Sequence, residues 1–139
     1  MENKNKLVID DGSKVYTLEN KSGQVLGEIS FNPSDTNIIQ RYENFRNFFE
    51  NLKEEEYPKT AEGLRKLEED IVKQVDCLLR ANTKDTIFAI AGPTTPLVTG
   101  ELFFENVANA IAVVIEAELG VRMKKMQTRV KKYTEKYQK

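Results

Sequence analysis

The chain has 139 residues, of which 40% are hydrophobic and 31% charged, enough for one domain with a modest core and no need of a disulfide or metal to fold. It carries no histidine and a single cysteine, Cys77. This removes the commonest general base and metal ligand, the Ser-His and Cys-His nucleophile arrangements, an intrachain disulfide and Cys-based zinc sites. The net charge is −1, no apolar run approaches the roughly 18 residues of a membrane span, and Met1–Lys6 has no signal-peptide apolar stretch; the expectation is a soluble intracellular domain that is not an enzyme and carries no cofactor.

The first third reads as strands. Leu7, Val8 and Ile9 form a short apolar run. Asp11-Gly12 follows, a hairpin-turn dipeptide because Gly tolerates positive φ. Lys14–Glu19 alternates as a second strand, and Asn20–Gly23 is a second turn. Val25, Gly27, Ile29 and Phe31 then lie at period two on one face of a third. The expected unit is a three-stranded antiparallel meander, which needs helices to cover its apolar face.

Asn32-Pro33-Ser34-Asp35 stops the third strand and opens a helix that Ser34 or Asp35 can cap. Ile38, Tyr42, Phe45, Phe49 and Leu52 recur at steps of four and three, an amphipathic stripe that Ile39 and Phe48 widen. The run Glu54–Glu56 ends this helix; adjacent helical positions point apart, so the three carboxylates read as a solvated face. Thr60 caps a second helix, with Leu64, Leu67, Ile71, Val75 and Leu78 as its stripe. Cys77 beside it reads as a small apolar filler. Thr86–Ala91 is too short for periodicity to separate a buried strand from a short helix, and the short helix is preferred. Gly92–Gly100 is a loop.

From Thr99 the helical pattern resumes and has no clear stop. Phe103, Val107, Ala110, Ile111, Val114, Ala117 and Leu119 make its first half apolar. Gly120 costs about 1 kcal/mol relative to Ala without necessarily breaking a helix. Beyond it Met123, Met126, Val130, Tyr133 and Tyr137 continue at steps of three and four. The expected fold is therefore α+β: the meander packed on helices at 35–55, 60–81 and 100–137, with residues 1–120 as one domain and 121–139 as a basic, projecting amphipathic extension.

Charge singles out that extension. Residues 121–139 carry +7, against −8 for residues 1–120. The macrodipole favours cations only near a helix's last turn, so it does not account for a basic run of about five turns. Arg122, Lys124, Lys125, Arg129, Lys131 and Lys132 flank the apolar seam Met123, Met126, Val130, Tyr133 and Tyr137. Together they form the candidate partner-binding set: the seam docks on a helix or a second copy, and the cations steer it to an acidic surface. The tyrosines could stack on bases, but they keep the period of the seam, and the acidic residues 1–120 work against a phosphate-binding face. There is no P-loop, dinucleotide fingerprint or internal repeat.

The order of a small hairpin or meander, then "GEISFNPSDTNIIQRYENFRNFFENL", "VDCLLRANTKDTIFAIAG" and the basic end "RVKKYTEKYQK" resembles the tail-assembly-chaperone-like proteins of Gram-positive prophages. These are encoded just before the tape measure in long-tailed phages. The likeness is greatest from Phe31–Asp35 through Asp85–Phe88, about half the chain, and is one of layout more than of signature. It implies a non-catalytic protein in the bacterial cytoplasm that coats the tape-measure protein, keeps its apolar helices soluble and self-associates. A structural virion protein, at the head–tail junction or in tail completion, and a small nucleic-acid-binding regulator are the alternative readings.

Overall fold

Two alternating segments build the sheet. In the computed structural model, which describes residues 5–126 and Val130, β1 (Lys14–Glu19) pairs antiparallel with β2 (Val25–Phe31). Lys14 faces Phe31, Tyr16 faces Ile29 and Leu18 faces Gly27, so these pairs share one side of the sheet. The turn between the strands is organised by Asn20, whose side-chain oxygen accepts bonds from the N–H groups of Ser22 and Gln24, and by Gly23 at φ +85°.

The expected third strand is absent among the described residues: the sheet has two strands. Leu7, Val8 and Ile9 are instead 86%, 88% and 74% exposed. The reason lies in the turn that should have returned them to β1. A two-residue hairpin loop of the favoured kinds needs its first central residue at positive φ, yet only Gly12, the second, has it, at +77°. Asp10 and Asp11 accept bonds from the N–H groups of Gly12 and Ser13, and the Asn32 amide donates to the Asp11 carbonyl. These contacts tie Asp10–Ser13 locally and to Asn32 in place of a two-residue hairpin loop.

Three helices supply most of the core, into which β2 sends Ile29 and Phe31. α1 (Ile38–Glu50) buries the expected Ile38, Tyr42, Phe45 and Phe49. Its entry is held one step early: Asp35 accepts the N–H of Asn37 and pairs with Arg41 at 3.1 Å. The Arg41 Nε also donates to the Leu78 carbonyl at 3.0 Å, fastening α1 to the end of α2 (Ala61–Leu79). Thr60 caps α2 by accepting the Gly63 N–H at 3.0 Å. Gly63 has to be glycine, because a Cβ there would lie 1.7 Å from the Pro58 carbonyl oxygen. Glu54–Glu56 forms a short exposed 3-10 turn. Cys77 is exposed on α2 rather than filling the core. Within the 86–91 run, Ile87–Ala89 is a single 3-10 turn.

α3 (Phe103–Leu119) starts from a built platform. The Glu105 carboxylate accepts the Leu102 N–H, and the Phe103 and Phe104 N–H groups donate to the carbonyls of Thr95 and Pro93. That loop is in turn tied to α2, where Glu68 accepts from the N–H and hydroxyl of Thr94. Phe49 and Phe104 meet with ring centroids 4.9 Å apart, joining α1 to α3 at the centre of the core.

The long C-terminal helix expected over 100–137 ends at Leu119. Gly120 takes the left-handed conformation at φ +66°, and its N–H closes on the Glu116 carbonyl, a common helix stop. The backbone that follows, 121–126, is not helical and is caught by side chains of the domain. Glu116 accepts the Met123 N–H at 2.7 Å, Asn109 accepts the Met126 N–H at 2.9 Å, and the Tyr42 hydroxyl donates to the Lys124 carbonyl at 2.8 Å. No helix among the described residues is long and apolar enough to cross a membrane.

Candidate protein-binding surface

The residues first singled out for partner binding separate into three groups. Met123, Met126 and Val130 belong to the buried core of this chain. Their apolar character is accounted for by their own domain, not by an exposed seam. Arg122, Lys124 and Lys125 are exposed. Arg122 and Lys124 border, with Arg46, Glu43 and Tyr42, a depression of about 480 Å³ where the 121–124 backbone crosses α1. Tyr133, Tyr137, Arg129, Lys131 and Lys132 lie outside the described residues.

A different surface gathers the unpartnered apolar groups. Among the described residues β1 pairs with β2 on one side only, so its other edge presents N–H and C=O groups that no described strand takes up. Tyr16–Glu19 of β1, Asn20 and Lys21 of the turn, and Leu26, Ile29 and Phe31 of β2 line a groove of about 510 Å³. The facing wall is α3, through Phe103, Val107, Ala110 and Val114. Ile87, Ile90 and Leu97 also line it.

α3 explains why such a groove exists. Phe104, Ala108, Ile111 and Ile115 make one stripe, wholly buried in the core. Phe103, Val107 and Val114 make a second stripe beside it that is only half-buried. A helix apolar over so much of its circumference has more grease than one core contact uses. On the strand side, Tyr16 and Leu18 are likewise half-buried, with Tyr16 resting on Phe31 at a centroid distance of 5.0 Å. The groove was not singled out from the sequence, because every one of these residues reads equally well as core. The breadth of the apolar arc on α3 was the available signal.

Charged groups stand at the ends of the groove, where Glu19 and Lys21 line it beside the β1–β2 turn. Lys14 pairs with Glu118 at 2.8 Å, linking the start of β1 to the last turn of α3. This bond holds the Glu118 carboxyl below its usual range. Near the other end of α3, Glu101 accepts bonds from the amides of Asn106 and Asn109, the first of which does most to lower its pKa. Among the described residues no three His, Cys, Asp or Glu side chains stand close enough together to hold a metal ion. What the groove offers is apolar area beside a row of backbone hydrogen-bonding groups, which suits an extended or helical peptide.

No protein-family model, functionally described protein or solved structure matches the chain.

Proposed function

We propose that the protein works by binding other proteins, as a non-enzymatic tail-assembly chaperone of a phage or prophage, and that the groove between β1 and α3 receives an apolar segment of its client. The observation that carries this reading is the second, half-buried apolar stripe of α3, which lines one groove with β1, a strand that pairs on one side only among the described residues. The client class comes from the layout the sequence shares with tail-assembly-chaperone-like proteins. A tape-measure protein presents long apolar helices that need temporary cover before tail-tube subunits enclose them. A shallow, mainly apolar groove suits such a client, because it selects for grease and tolerates variation in detail.

Arg122, Lys124 and Lys125 are exposed cations that can steer an acidic client or neighbour without supplying the docking contacts. The test is suppression of aggregation. The full chain is mixed with a purified tape-measure segment that precipitates alone, and light scattering is followed. The native protein keeps the segment soluble, whereas Val107→Asp, which puts a charge on the groove wall, does not. Equal protection by both proteins, or none by either, contradicts the reading. Recovery of the protein from finished particles would favour a structural virion role instead.

A further inference from the structure

We infer that the N-terminal segment Leu7-Val8-Ile9 of one copy adds as a strand to the free edge of β1 in a second copy. There it occupies the strand-side half of the groove. This rests on the reading of the groove as a protein-binding surface and names one of its occupants as the protein itself.

The first part of the argument is supply and demand within one chain. Three successive large apolar residues are almost wholly exposed, an arrangement that an isolated monomer has no use for. The same chain carries an apolar groove beside a strand edge that is unpaired among the described residues. The two do not meet in cis among the described residues, where the sheet has only β1 and β2 and Leu7, Val8 and Ile9 stay exposed.

The second part is charge. The segment is bracketed by Lys6 on one side and Asp10-Asp11 on the other, and β1 by Lys14 and Glu19 at its ends. An antiparallel pairing that sets Leu7 beside Leu18 and Ile9 beside Tyr16 also sets Lys6 beside Glu19 and Asp11 beside Lys14. Both ends then carry opposite charges directly across from each other, which favours this register over its neighbours. In the same register Leu7 and Ile9 turn to the apolar side shared by Tyr16 and Leu18, while Val8 lies with exposed Thr17. Donor and acceptor are different surfaces, so the contact is heterologous. It closes by mutual exchange or extends from copy to copy.

The experiment uses the full chain in two arms. First, light scattering is followed as protein concentration rises from about 1 to 500 μM, a range chosen for a small interface of modest affinity. The native protein gains mass. Leu7→Asp with Ile9→Asp, at positions exposed in the monomer, stays monomeric with an unchanged circular dichroism spectrum and melting point. Lys6→Glu weakens association, and Lys6→Glu with Glu19→Lys restores it. Second, a Leu7→Cys chain is mixed with a Leu18→Cys chain, both carrying Cys77→Ser. Facing residues in such a pair have Cα atoms about 4.5–5.5 Å apart, within disulfide reach, so mild oxidation gives a disulfide between the two different chains. A native protein that remains monomeric throughout, or an absence of the mixed disulfide, overturns the inference. If Val107→Asp still abolishes client protection while the Leu7 and Ile9 changes leave the mass unaltered, the inference fails and the client reading stands; loss of neither activity removes both.

Discussion

Lys14 donates to Glu118 at 2.8 Å, so the first residue of β1 is tied to the last turn of α3. The bond fixes the spacing of the groove's two walls at one end. Because the Lys14 side chain is largely exposed, the pair adds little stability of its own. Glu118→Ala is expected to move the urea denaturation midpoint only slightly, with the difference shrinking as salt is added.

Acid should act through four carboxylates together. Asp11 is held below its ordinary pKa by the Ser13 N–H, Asp35 by the Asn37 N–H and Arg41, Glu101 by the Asn106 amide, and Glu118 by Lys14. A carboxyl whose folded pKa is depressed stabilises the fold above its unfolded pKa, and that contribution disappears as pH falls through the folded value. Thermal melting followed from pH 7 downward should therefore hold steady and then fall below about pH 4. The triple variant Asp35→Asn, Glu101→Gln, Glu118→Gln should show a shallower fall.

The C-terminal segment is expected to matter for folding. Truncation after Val121 removes Met123, Met126 and Val130 from the core. Large apolar side chains lost from a core cost about 2–5 kcal/mol each, so the truncated chain should unfold at much lower denaturant or fail to fold. A truncation as stable as the full chain would show that this segment lies apart from the domain. A milder probe is Tyr42→Phe, which deletes the bond to the Lys124 carbonyl. It should lose about 0.5–1.5 kcal/mol and hasten tryptic cleavage after Lys124 and Lys125.

Gly63→Ala tests the close approach of α2 to the chain before it. Alanine is the better helix former, yet its Cβ would overlap the Pro58 carbonyl. The expected result is a loss of about 1–3 kcal/mol, as for other overpacked sites, measured by denaturant titration. A gain would show that the turn at Pro58 yields freely.

The parts of this fold legible in the sequence are those set by local pattern. Ile38, Tyr42, Phe45 and Phe49 of α1 and Leu67, Ile71, Val75 and Leu78 of α2 are buried as their spacing required, because a helix with one apolar face has one way to hide it, whereas Leu64 is half-buried and Leu52 lies beyond the end of α1. Thr60 is the cap its position suggested. The failures come where a local pattern had two uses. Asp11-Gly12 reads as a hairpin turn, but the contact that decides its shape comes from Asn32, a residue 21 positions away. Met123, Met126 and Val130 were read correctly as apolar, but period alone does not say whether an apolar side chain meets its own domain or another. That choice was made by Gly120 and by Glu116, Asn109 and Tyr42, which capture the backbone beyond it. The groove stayed hidden for the same reason: Val107 and Ile111 look alike in the sequence, and only the fold leaves one half-open and buries the other.

The most direct measurement places a photo-crosslinking residue on α3 at Val107, in the groove wall, and separately at Val113, which is 55% exposed on the same helix but outside the groove. Each full-length protein is irradiated with the tape-measure segment. The groove account predicts a client adduct from position 107 and little or none from position 113. Equal adducts from both positions, or adducts from 113 alone, would contradict it.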